Sequence, residues 1–137
     1  MNAEQMELAR RFVACKGWVW LEGMVACDSS RPLMWRRRLL SQCEIFGWKF
    51  DAVSGPVPRG PWRSLMGWSP DLSDALTRAG LLEVVRRAWG MPHCGLWGNS
   101  RLGLSLRWAC GEANGRIFTG ETELAALLAA LEAAPGV

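Results

Sequence analysis

Two short stretches of the chain set flat rings beside fixed cations. Trp35 runs directly into Arg36, Arg37 and Arg38, while Arg59 lies three residues before Trp62, which is followed by Arg63. A guanidinium offers a planar fork of donors that suits phosphate, and it also stacks on rings. An indole offers a face on which a base can lie, worth roughly 1–3 kcal/mol per base. Charge-assisted bonds to phosphate add roughly 1.5–3 kcal/mol each. Two stacked bases and two arginines would hold a nucleotide firmly even against the cost of association. The candidate ligand-binding residues are therefore Trp35, Arg36, Arg38, Arg59, Trp62 and Arg63. If 34–38 is a strand, Trp35, Arg37 and Leu39 share one face and Arg36 and Arg38 the other.

Other chemistries find less support. There is one histidine, and Asp71 and Asp74 read better as helix-start residues than as paired catalytic carboxylates. The stretch "GLWGNSRLG" at 95–103 lacks the lysine and the strand–helix setting of a phosphate loop. The cysteines number 5, an odd count, and no two lie within four positions, which argues against a disulfide framework or a zinc knuckle. They read as buried thiols of a reducing compartment. His93 and Cys94 are adjacent but have no third partner. No catalytic residue, metal ligand or cofactor is assigned, and an enzyme is not expected.

The net charge of +3 is too small to imply nucleic-acid binding by itself. Its distribution says more: residues 31–63 hold Arg31, Arg36, Arg37, Arg38, Lys49, Arg59 and Arg63 against Glu44 and Asp51. Most of the cations are Arg, which a GC-rich genome also favours, and the Ala-rich tail fits that explanation. Of the 137 residues, 50% are apolar, enough to fill a core and consistent with a single domain over 1–137. No apolar run reaches the roughly 18 residues of a membrane span, and "MNAEQMELARRF" lacks the apolar core of a secretory signal. A cytoplasmic protein with no membrane partner is expected.

The elements that must position these groups follow from periodicity. Residues 3–15 read as a helix on Met6, Ala9, Val13 and Phe12, stopped by Lys16-Gly17. "WVWLEGMVAC" puts Trp18 and Trp20 on one face of an extended segment, where they should pack on the first helix. "LMWRRRLLSQC" reads as strand, with a short helix as the alternative, and "EIFGWKFDAV" as a strand with Gly47 marking a bulge. The Pro/Gly-rich residues 54–70 read as a long loop, in which Trp62 and Trp68 are either folded inward or held for an interface. Residues 75–89 form the clearest helix, capped by Asp74, striped by Leu76, Ala79, Leu82, Val85 and Trp89, and ended by Gly90. "HCGLWG", "LGLSLRWAC" and "RIFTG" read as strands, the last two joined at "GEANG", before a Leu/Ala helix over 123–134 capped by Thr122. The expected fold is α+β: an antiparallel sheet of about 4–6 strands flanked by three helices, in the order α-βββ-α-ββ(β)-α.

Three stretches, "LARRFVACKGWVWLEGM" (8–24), "PDLSDALTRAGLLEVVRRAWG" (70–90) and "ALLAALEAAP" (126–135), resemble a group of small phage- and prophage-encoded proteins of unknown function. In that group two Trp spaced by one residue are followed by Met-Pro-Gly-Met; here Leu21-Glu22 replaces the Met-Pro pair, and Ala75 stands where the group has Pro after Asp. The resemblance covers about a third of the chain and leaves out 31–63. It implies an origin rather than a chemistry: a phage accessory protein acting in the host bacterial cytoplasm against host immunity. Joined to the Trp/Arg pattern, it suggests a non-catalytic sponge that sequesters a nucleotide second messenger. The alternative is an inhibitor docking on a host defence protein through loop 54–70, with Trp62, Met66 and Trp68 as anchors. A nucleic-acid-binding accessory protein is the third reading. A second copy of the chain is a further candidate partner, as homodimer or higher homo-oligomer, through a helix or an exposed sheet edge.

Overall fold

A computed structural model describes residues 1–28, 35–43, 47–55, 65–99, 107–111 and 117–135. The fold is α+β, with three helices and antiparallel strands among the described residues. In chain order the elements are α1 (Ala3–Ala14), β1 (Val25–Asp28), β2 (Arg36–Cys43), β3 (Gly47–Ser54), β4 (Trp68–Pro70), α2 (Ala75–Trp89), β5 (Gly95–Asn99), β6 (Arg107–Gly111), β7 (Ile117–Gly120) and α3 (Glu123–Glu132). The chain divides into two compact units, residues 1–10 with 20–78 and residues 11–19 with 79–137.

The first unit is built on a four-stranded sheet in the order β3-β2-β1-β4. The strand expected from Trp18 onward begins only at Val25. Residues 21–24 form a turn instead, closed by the Met24 N–H on the Leu21 carbonyl at 3.2 Å, with Gly23 in the left-handed region at φ 89°. Glycine takes that conformation at little cost, so the Trp alternation was a weaker signal than the Gly behind it. Val25, Ala26 and Cys27 are wholly buried, as a central strand requires. The Pro-rich segment is shorter than a loop over 54–70: Trp68–Pro70 pairs with β1 as an edge strand. An edge position tolerates Pro70, because a proline there need not donate to a second neighbour. The bulge expected at Gly47 lies elsewhere. Pairing of β2 with β3 shifts between Leu39 and Ser41 and again between Arg36 and Arg37, leaving Leu40 and Val53 as the extra residues. Both are apolar and exposed, at 45% and 41%.

α2 spans the residues expected, but its buried face is turned. Leu81, Val84, Val85 and Thr77 are buried, whereas Leu76 is 61% exposed. Apolar residues occur nearly all round this helix, so periodicity alone admits two orientations. Thr77 decides between them, because its hydroxyl accepts the Val25 N–H at 2.8 Å. At the other end, Gly90 donates to Arg87 and Met91 to Arg86, with Gly90 at φ 64°: a Schellman stop.

The second unit holds a three-stranded meander, β5-β6-β7. α3 buries Ala126, Leu127, Leu128, Ala130 and Leu131, and its start is capped by Thr122, which accepts the Ala125 N–H. Gly120 lets β7 and α3 approach closely: a Cβ there would lie 2.5 Å from the Ala126 backbone nitrogen. Trp89 donates its indole N–H to the Ala130 carbonyl at 2.8 Å, and its ring lies 5.7 Å from that of Phe118. Trp18 packs on α1 as expected, with its ring 6.3 Å from that of Phe12. The turn "GEANG" lies outside the described residues.

Candidate functional site

β2 carries the three arginines, with Trp35 immediately before it, and strand alternation sorts the arginines as expected. Arg37 points to the side of Leu39 and is itself buried, with 1% exposure. Its guanidinium lies 6.0 Å from the Trp35 ring and 6.0 Å from the Phe50 ring, within cation–π range. Its Nη1 donates to the Ser54 carbonyl at 2.7 Å and to the Arg36 carbonyl at 3.1 Å. Burial lowers its proton affinity from the ordinary arginine value. Arg37 is thus a cation of the interior, reached by rings and carbonyls.

Arg36 and Arg38 emerge on the other face, and both meet carboxylates. Arg36 donates through Nε and Nη2 to Asp71 Oδ2, each at 2.6 Å. Asp71 is 2% exposed, and its second oxygen accepts the backbone N–H and the hydroxyl of Ser73. Arg38 donates through Nη2 to Asp74 Oδ1 at 2.9 Å and through Nη1 to the Gly23 carbonyl at 2.8 Å. Asp74 Oδ2 caps α2, accepting the Thr77 N–H and hydroxyl, both at 2.9 Å. Burial alone would raise the Asp74 carboxyl; the bonds from Arg38 and Thr77 outweigh it and hold the group below its ordinary value. Two cations and two anions make a neutral network. It ties β1, β2 and the turn 71–74 to the start of α2, and its guanidinium forks already hold anions.

Of the six residues expected to bind a ligand, Trp35, Arg36 and Arg38 are described, and Arg59, Trp62 and Arg63 lie outside the described residues. Trp35 sits on the Arg37 side of the strand, opposite Arg36 and Arg38. The three therefore do not form one stacking and phosphate-binding surface. The carboxylate partners were missed in the sequence, although a signal was present. Arg36 and Arg38 are spaced by two along a strand, and Asp71 and Asp74 by three across a turn, so the two pairs can meet side by side.

Cys27 is buried, bonded to the Ser69 carbonyl, and its thiol is pushed up to about 12, chiefly by burial and then by Asp71. That thiol is no nucleophile at neutral pH. Cys94 is buried while its neighbour His93 is exposed. Cys15 lies in an open depression of about 430 Å³ with Arg11, Lys16, Leu131 and Glu132; burial and then Glu132 raise its thiol. Among the described residues no group of His, Cys, Asp or Glu could hold a metal ion, and no helix is long and apolar enough to cross a membrane.

The most exposed large apolar side chain among the described residues is Met66, at 90%. It occupies the tip of a tight turn, closed by the Trp68 N–H on the Leu65 carbonyl at 3.0 Å and turned by Gly67 at φ 78°. The turn leads directly into β4, so Met66 is presented from an anchored backbone, two residues from the half-buried Trp68. No protein-family model, curated protein or solved structure matches the chain.

Proposed function

We propose that the chain is a non-catalytic binding protein that engages a protein partner through the turn at Met66 and the Trp/Arg-rich residues leading into it. The observation that carries this reading is Met66 itself, 90% exposed at the tip of a closed turn. Methionine, tryptophan and arginine are enriched at the centres of protein interfaces, and an anchored turn loses little entropy on docking. Capture of a nucleotide is less favoured, because Arg36 and Arg38 are taken by Asp71 and Asp74 and lie across the strand from Trp35. The resemblance to phage-encoded proteins supplies the setting: the partner is a host defence protein in the bacterial cytoplasm, and the outcome is its inhibition.

The test has two arms. Expression in a phage-restricting bacterium should restore phage plating, and Met66→Asp should abolish that effect while leaving the thermal midpoint unchanged. Calorimetry against cyclic nucleotides and ADP-ribose derivatives should find nothing tighter than about 10 μM, roughly −7 kcal/mol. Tight nucleotide binding, or full activity of Met66→Asp, would overturn the proposal.

A further inference from the structure

Among the described residues β3 is an edge strand and pairs with β2 alone. At 8 residues it is the longest of the edges among the described residues: β4 has 3, β5 has 5 and β7 has 4. Its stretch 47–52 contains no extra residue, since the two irregularities fall at Leu40 of β2 and at Val53. Lys49, Asp51, Ala52 and Val53 are exposed. Among the described residues neither Lys49 nor Asp51 takes part in an ion pair, although both sit on the charged face of the sheet, where Asp51 lies opposite Arg38.

We infer that β3 is the contact edge for a second copy of this chain, paired antiparallel about Phe50 into one continuous sheet across a twofold axis. The occupant follows from the order of the side chains. An antiparallel pair places directly opposed residues on the same face, with Cβ atoms about 4.5–5.5 Å apart. With Phe50 opposite its own symmetry mate, Lys49 faces the partner's Asp51, and Asp51 faces the partner's Lys49. On the other face Trp48 opposes the partner's Ala52 and the two Phe50 rings meet, so a large side chain lies against a small one and ring against ring. The same charges exclude the neighbouring registers. A slip of two residues one way sets Lys49 against Lys49, and the other way Asp51 against Asp51. A slip of one residue would place side chains on mismatched faces. An isologous contact needs a surface complementary to itself, and Lys49-Phe50-Asp51 is such a surface. A foreign strand would have to supply an acid and a base in this same order. The β3 edge is a different surface from the turn at Met66, and its pairing does not depend on the function proposed above.

Sedimentation of the full chain tests it. The wild type should dimerise at concentrations up to about 200 μM and weaken as salt is raised. Lys49→Glu turns both symmetry-related pairs repulsive at once, as does Asp51→Lys, so each should weaken the dimer at least tenfold. Mixing the two variants should restore it, because across the mixed pair every opposed charge is again opposite. Rescue on mixing separates a pairing effect from damage to the fold, which circular dichroism of each variant checks in parallel. A wild type that stays monomeric at about 200 μM, or a dimer indifferent to both substitutions, would overturn the inference.

Discussion

The residues withdrawn from water differ in kind between the two units. In the unit containing the three-stranded sheet, the buried side chains among the described residues are Phe12, Leu81, Val84, Val85, Cys94 and the Ala/Leu ridge of α3. In the unit containing the four-stranded sheet, Val25, Leu39 and Leu72 share the interior with Arg37, Ser69, Asp71 and Thr77. The first interior is specified by volume and shape. The second is specified in part by direction, since each polar group there demands a partner at a fixed angle and distance. An apolar interior tolerates repacking, whereas a bonded network holds one register and loses stability sharply when one member is removed. The Trp/Arg run that suggested a ligand site is therefore, over its described part, a device that sets how β2 meets the start of α2.

The largest effect should come from the apolar interior. Leu131 is 2% exposed, and Leu131→Ala should cost about 2–5 kcal/mol by deleting buried methyl groups and leaving a cavity. Leu76→Ala on the 61% exposed face of α2 should stay within about 0.5 kcal/mol. Urea midpoints of the two variants measure the gap. Equal losses would mean that α2 is oriented as its sequence periodicity suggests rather than as Thr77 places it.

Next comes the polar interior. Asp71→Ala removes the partner of Arg36 and the acceptor for Ser73, and it should cost about 2–3 kcal/mol. This is below the usual cost of breaking a wholly buried pair, because Arg36 is 29% exposed and can turn to water. Arg36→Met combined with Asp71→Leu should recover much of that loss, because neither charge is left unpaired. A double variant as unstable as Asp71→Ala would show that the network contributes net stability and not register alone.

Asp74 gives the same unit a dependence on pH. Its folded pKa lies below the unfolded value of about 3.9, so between the two the unfolded chain binds more protons. The stabilisation from Arg38 and Thr77 is therefore complete above about pH 5 and fades as pH falls through the folded pKa. Between pH 6 and pH 3 the wild type should lose more stability than Asp74→Asn, measured as urea midpoints at each pH. A parallel loss in both would place the acid sensitivity elsewhere.

Much of the backbone plan was legible in local signals. α2 and α3 were marked by caps and stops that act within a few residues: Asp74, Gly90 and Thr122. Strand β2 and its alternation were readable from the run Trp35–Cys43, but its pairing was not. That Arg36 would find Asp71 and Arg38 would find Asp74, 35 and 36 residues away, depends on β4 returning beside β1, and no local pattern encodes that return. For the same reason the strand at Trp68–Pro70 was hidden among prolines: its three residues are held by tertiary pairing and not by propensity. Trp35 and Arg36 are neighbours in sequence, and the alternation of the strand puts them on opposite faces. Adjacency in the chain is thus a poor guide to a shared site wherever the backbone is extended.

The smallest effect sharpens the comparison most, because it keeps the chemistry and changes only the setting. Arg11 and Glu132, in the unit with the three-stranded sheet, form an ion pair at 2.8 Å, nearly as short as that of Arg36 with Asp71. Their side chains are 50% and 40% exposed, against 29% and 2% for Arg36 and Asp71. Water and salt screen the exposed pair, and holding two long side chains together costs entropy, so Glu132→Gln should change stability by about 0.5 kcal/mol or less. In roughly 1 M salt, where screening acts over about 3 Å, that difference should vanish, while the cost of Asp71→Ala should persist. Denaturation of both variants at low and high salt measures the contrast. If the two pairs respond alike, the distinction between an interior fixed by direction and one fixed by volume fails at the residues where it is best defined.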